Sequence, residues 1–191
     1  MSTTASPYGF RPVNLLGGID FSGSTRRIKM TASYGTAVGY GDAVKIVTAG
    51  TVEKDTGTTT MTPVGIFLGC QYTDPNTKQL TFKQNWVAST SATDNYAIVL
   101  DNPTAVFAVQ ADEAVAQTAL GINVAVVQGS VGTFGNSTVS LDGSTIATTN
   151  TLPVRIIGFV DGPFSTVGDA FTDCLVIWNF GMHQYLNPTG V

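Results

Sequence analysis

Turn signals interrupt this chain at short intervals and limit each regular element to a few residues. Gly-, Asp-, Asn- and Pro-rich turns stand at residues 39–42, 74–76 and 101–103, with short apolar segments between them. Short strands with turn signals at roughly 8–12-residue spacing are typical of a β-sandwich or a β-barrel. The turns leave no room for long helices, so a helical bundle and a coiled coil are disfavoured.

The alternation of apolar and polar side chains predicts most of the strands. It is clearest where Leu80, Phe82 and Trp86 alternate with polar residues, while the apolar segment 174–180 indicates a central, buried strand. One helix is expected over residues 113–120, with Asp112 as its N-cap and Gly121 as its left-handed C-terminal residue. The sequence therefore predicts an all-β fold, mainly an antiparallel sandwich or barrel, with one short helix.

The chain carries few charges. Charged residues make up 12% of it, against a usual share of about 25%. A surface with so few charges must consist of Ser, Thr, Asn and Gly, or be covered in part by another subunit. The net charge is −4, and the only adjacent basic pair is Arg26 and Arg27. Nucleic acid and anionic membranes are therefore not expected as partners, because both require a basic surface.

No segment indicates insertion in a membrane or secretion. No apolar run approaches the roughly 18 residues that a membrane-spanning helix needs. The first residues lack the basic and apolar regions of a secretory signal, so we expect no such signal. Cys70 and Cys174 each lie in an apolar segment, and we expect both to be buried, reduced thiols.

Residues 1–24 are expected to form an extended N-terminal arm, followed by a single β-rich domain over 25–191, with a sub-lobe around 92–150 as a further subdivision. The arm lacks periodicity but carries apolar, aromatic and basic anchors, so it must become ordered by lying on something. Two alternatives are equally open: its own domain or a partner. The expected interface residues of the arm and the C-terminal tail are Tyr8, Phe10, Arg11, Leu15, Leu16, His183 and Tyr185.

No catalytic, metal or cofactor site can be assembled from the sequence. His183 is the only histidine, which leaves too few ligands for a His-rich metal site, and no nucleophile elbow or phosphate-binding loop is present. Asp161, Asp169 and Asp173 could ligate calcium, but their spacing matches no EF-hand loop. We expect no enzyme activity and no cofactor.

Several motifs together resemble the decoration, or cement, proteins of tailed bacteriophages, which are encoded beside the major capsid protein. The resemblance covers most of the chain, and the motifs are structural ones that carry no chemistry. They are, in chain order, YGFRP at 8–12, GDAV at 41–44, PVGIF at 63–67, AIVLDNP at 97–103, FAVQAD at 107–112, GINVA at 121–125, LPVRI at 152–156 and GMHQY at 181–185.

The resemblance implies a structural virion protein that binds the outside of a phage capsid and stabilises the shell. It further implies a homotrimer, the major capsid protein as partner, and assembly in the host cytoplasm. Two other classes remain open. A carbohydrate- or receptor-binding β module of a virion or tail would expose aromatic side chains such as Trp86 and Tyr96 on a sheet face. A hydrolase would use acids that the sequence does not pair.

Overall fold

The computed structural model describes residues 4–191, and these residues form short strands and two 3-10 helices. The 3-10 helices are Gln117–Ala119 and Gln184–Leu186. The strands are β1 Arg11–Leu15, β2 Ile19–Asp20, β3 Arg26–Lys29, β4 Ala43–Ile46, β5 Val52–Lys54, β6 Gly65–Thr73, β7 Leu80–Lys83, β8 Tyr96–Leu100, β9 Ala105–Gln110, β10 Asn123–Val127, β11 Ser140–Ala147, β12 Val154–Phe159 and β13 Asp173–Trp178.

The strands form two antiparallel sheets that pack as a sandwich, which confirms the predicted fold class. The larger sheet has the order β11-β10-β12-β13-β9-β1-β2. The smaller sheet has the order β3-β8-β6-β4-β5, and β7 pairs with the C-terminal part of β6, from Cys70 to Thr73. The segment 92–150 contributes β8 to the smaller sheet and β9, β10 and β11 to the larger one.

The strand predicted to be central is central. β13 lies between β12 and β9, and its buried residues Cys174, Val176 and Trp178 alternate with half-buried ones. An apolar strand that is paired on both edges loses no backbone hydrogen bonds on burial, which is why such a segment can occupy the middle of a sheet.

Two apolar clusters lie on opposite faces of the smaller sheet. The first fills the space between the sheets and is built around Phe10, Phe107 and Trp178. The second lies on the outer face of the smaller sheet, where Trp86 and Met30 come from the connecting segments that cover it. The smaller sheet is therefore buried on both faces over much of its area.

The predicted helix over 113–120 is much shorter than expected. Only Gln117–Ala119 is helical, it is a 3-10 helix, and no side chain caps its N-terminus. Gly121 does adopt the expected left-handed conformation, with φ at +83°. A helix of about two turns gains too few hydrogen bonds to form without packing support, so a tight turn replaces it.

The described part of the segment 1–24 lies on its own domain, which is one of the two alternatives that the sequence left open. Its residues 11–15 form β1, which pairs with β9 in the larger sheet. Phe10 is fully buried and packs edge-on against Phe107 at a ring-centre distance of 5.7 Å. Residues 4–24 are thus integrated into the sandwich in this structure and do not extend away from it.

Candidate interaction surface

The sequence-predicted interface residues separate into three groups. Phe10 is part of the core, so the expectation that it contacts a partner is corrected by its burial, whereas Leu15 is half-buried against that core. Tyr8 and Arg11 lie near the beginning of β13. Leu16, His183 and Tyr185 lie near its end.

Tyr8 and Arg11 form a local polar cluster with β13. The Tyr8 hydroxyl donates a 2.9 Å hydrogen bond to the Asp173 carboxylate, and the Arg11 guanidinium lies 4.2 Å from the centre of the Tyr8 ring. Burial, together with the neighbouring Asp173 charge, raises the pKa of Tyr8 far above its usual value. These contacts fix the start of β1 on the larger sheet.

At the opposite end of β13, the ends of several elements surround an apolar cavity of about 210 Å³. We call it the end cavity. The side chains that define it are those of Leu16, Ile177, Trp178, Phe180, His183 and Leu186. Leu16 comes from the predicted arm and His183 from the predicted tail, and the fold brings them to the same site.

The side chain of Asn179 explains why the chain after β13 opens outward. Its amide donates to the carbonyls of Asn150 at 3.0 Å and Leu152 at 2.9 Å. Its oxygen accepts from Arg155 Nη2 and from the N–H of Phe180, each at 2.9 Å. A buried amide with all of these partners fixes the backbone, and the next side chain, Phe180, is left 85% exposed at the mouth of the cavity.

His183 is buried at the base of this end of the sandwich. Its Nδ1 accepts a hydrogen bond from the N–H of Tyr185 at 3.3 Å, which assigns the ring proton to Nε2. Burial lowers the pKa of His183, and the nearby backbone carbonyl of Val64 opposes that shift only in part. The imidazole is therefore neutral at pH 7, and its place in the structure is that of a packed core residue.

A polar network flanks the end cavity. Arg26 donates to the Asp101 carboxylate and to the hydroxyl of Tyr185, and Tyr185 donates to Asp101 at 3.2 Å. The Arg26 side chain is 61% exposed, so solvent screens this ion pair and its contribution to stability is small. The network holds the C-terminal segment beside β3 and leaves the apolar mouth uncovered.

A second uncovered surface lies on β7, and we call it the β7 edge. Leu80 is 57% exposed and Phe82 is 63% exposed, and both project from the same face. Of the strands in residues 4–191, only β6 pairs with β7, so the other side of β7 presents free backbone groups. The alternation that predicted this strand gave no indication that its apolar face is the exposed one.

The acidic residues show a different grouping from the one considered in the sequence. Asp169 caps its own turn by accepting from the N–H of Thr166, and Asp173 accepts from Tyr8. The carboxylates that do lie within 4.8 Å of one another are those of Asp112, Glu113 and Asp142. Asp112 accepts from the N–H of Gly143 in β11, and Asp142 accepts from the Ser144 hydroxyl of the same strand, so both carboxylates already have hydrogen-bond donors within the chain.

No protein-family model, curated protein or solved structure matches this chain. Within residues 4–191, no helix is long and apolar enough to cross a membrane.

Proposed function

We propose that this chain is a structural virion protein that binds the outside of a phage capsid and stabilises the shell. The proposal rests on the resemblance to phage decoration proteins. The observation that carries it is the β7 edge, where two large apolar side chains stand beside an unpaired strand. Exposed apolar side chains on an open strand edge cost solubility unless a partner covers them.

The β7 edge is suited to an extended segment of the major capsid protein. Such a segment can add as a further strand and gain main-chain hydrogen bonds, while its side chains pack on Leu80 and Phe82. Binding as a homotrimer would strengthen the attachment, because the second and third contacts would form intramolecularly. The proposed location is the capsid surface, after assembly in the host cytoplasm.

Co-sedimentation with shells built from the major capsid protein of the same phage tests this function. Phe82→Lys should reduce shell binding by about 30-fold or more, as expected for the loss of an interface hot spot. Leu120→Lys is the matched control, because Leu120 is 47% exposed in a loop of the larger sheet. Equal binding of the wild type and the Phe82 variant would reject the β7 edge as the surface that binds the shell. No binding by the wild type would reject the function.

The alternative, a carbohydrate- or receptor-binding module, receives less support from the same structure. Trp86 is fully buried, and its indole N–H donates to the Tyr34 carbonyl at 2.9 Å. The ring of Tyr96 is already stacked by the Arg27 guanidinium at 4.9 Å. Trp86 therefore offers no face to a sugar ring, and one face of the Tyr96 ring is already occupied.

A further inference from the structure

Phe164 stands at the tip of a rigid turn between β12 and β13. The N–H of Gly162 donates to the carbonyl of Ser165 at 2.9 Å, which closes the turn. Ser165 is buried, and its hydroxyl accepts from the N–H of Asp173 at 3.0 Å. The aromatic side chain between these anchors is 84% exposed. The fold therefore presents a phenyl ring to solvent from a backbone that is already held in place, so binding would order few backbone torsions.

The end cavity lies at the other end of the same hairpin. The turn that carries Phe164 lies before Asp173, the first residue of β13, whereas Trp178, the last residue of β13, lines the cavity. Five residue steps of about 3.4 Å place these two ends roughly 17 Å apart along the strand. Phe164 therefore cannot fill the end cavity of its own chain, but it can fill that of a second copy.

The size of the end cavity fits this side chain. Its volume is about 210 Å³, and Leu16, Phe180 and Leu186 surround its mouth. An apolar cavity of about 150 Å³ is sufficient to accept a benzene molecule. One phenyl ring therefore fits with room for the atoms that attach it to the backbone.

The charges beside the two features are complementary. Asp161, three residues before Phe164, is exposed, and its carboxylate has no hydrogen bond or ion pair with another described residue. Arg155 lines the end cavity, where it donates to the side-chain oxygens of Asn123 and Asn179, and within residues 4–191 no carboxylate pairs with it. A second copy entering with its Phe164 would bring a carboxylate to an unneutralised guanidinium.

We propose that copies of this chain associate head to tail, with Phe164 of one copy in the end cavity of the next and Asp161 facing Arg155. Because the two surfaces differ, the contact is heterologous, and its repetition generates a ring when the rotation closes. The contact does not involve the β7 edge, so it stands independently of shell binding.

Two variants test the contact by complementation. Phe164→Ala removes the projecting ring but keeps the cavity. Leu186→Arg keeps the ring but places a second cation beside Arg155 at the mouth of the cavity. In sedimentation velocity, the wild type should self-associate, and either variant alone should associate at least about 30-fold more weakly. An equimolar mixture should form a dimer and nothing larger, because one intact ring and one intact cavity remain per pair.

Phe134→Ala is the matched control, because Phe134 is 86% exposed on a different turn, and it should associate like the wild type. Circular dichroism and thermal melting should show all variants folded, since the substituted side chains are exposed. A wild type that is monomeric at its highest soluble concentration would overturn the proposal. So would unchanged association of either variant, or a mixture of the two variants that stays monomeric. Shell co-sedimentation, measured separately, decides the proposed function and not this contact.

Discussion

The ammonium group of Lys54 lies 3.0 Å from the Asp42 carboxylate, and both side chains are buried. The same ammonium donates to the Gly129 carbonyl at 3.0 Å, and the same carboxylate oxygen accepts from the N–H of Gly39 at 2.8 Å. This ion pair therefore connects β5 with the turn before β4 and with the loop after β10. It thereby joins the β4–β5 hairpin to a loop that is distant in sequence.

Removing one partner of this pair should destabilise the protein strongly. Lys54→Met leaves the Asp42 carboxylate buried without its cation, which costs about 3–5 kcal/mol. Replacing both partners should cost less than the sum of the two single changes, because no buried charge is then left. Urea unfolding of the two single variants and the double variant measures this coupling. Lys45→Met is the control: Lys45 pairs with Asp55 at 3.5 Å, but its side chain is 36% exposed and the loss should be smaller. Additive costs would contradict the prediction.

The N-terminal segment should be required for folding. Phe10 contacts Phe107 and Trp178 in the cluster between the sheets, so Phe10→Ala should lower the free energy of unfolding by about 3–5 kcal/mol. Val13→Ala, three residues further along in β1 and at a 47% exposed position, should cost far less. Chemical denaturation followed by tryptophan fluorescence provides the measurement. Deletion of residues 1–24 should prevent folding. A truncated protein with a native circular dichroism spectrum would refute the prediction that this segment is required.

Stability should fall on mild acidification because of His183. Burial lowers its pKa below the ordinary 6.5, so the unfolded chain binds a proton more readily than the folded one. The stabilisation is fully present above pH 6.5 and is lost as the pH falls from there toward the lower, folded-state pKa. Since the chain has one histidine, His183→Gln should flatten the slope of stability against pH just below about pH 6.5. The exposed acids Asp74 and Asp94 have lowered pKa values, so they change the free energy of unfolding only at lower pH. An unchanged slope in the variant would rule out His183 as its source.

The two thiols should stay unpaired and unreactive in the folded protein. Cys174 lies in the cluster between the sheets and Cys70 in the cluster on the outer face of the smaller sheet, so the sheet separates them. Burial raises the pKa of Cys70 to about 11 and that of Cys174 to about 12. A thiol-specific chromogenic reagent at pH 8 should therefore label both only after unfolding. Cys→Ser at either site should cost about 1–3 kcal/mol through a buried hydroxyl. A quantitative bridge in mass spectrometry would contradict this.

The apolar pattern of the sequence predicted which segment forms a central strand. Residues 174–178 are apolar, and β13 is central because both of its edges are paired, although its side chains alternate between buried and half-buried positions. Alternation also located β7, but period two does not show which face meets the core. The strand ends at Lys83, so Phe82 stays exposed while Trp86 enters the outer cluster.

Long-range pairing is what the sequence did not reveal. Phe10 stands in a segment without periodicity, and only its contacts with Phe107 and Trp178, both distant in the chain, make it a core residue. For the same reason, Leu16 and His183 could each be predicted as interface residues, but their meeting at one cavity could not be predicted. Phe164 and Phe180 gave no signal, because an aromatic residue beside Gly or Pro fits a buried turn as well as an exposed one.

Strand β6 places adjacent residues in different clusters: Ile66 packs between the sheets, and Phe67 packs under the outer connecting segments. Neither cluster can lose its packing without displacing the backbone that the other cluster needs. The domain should therefore melt in a single cooperative transition, despite its two separate apolar interiors. The backbone amides of this strand should exchange with deuterium only when the whole molecule opens, at the rate set by global unfolding.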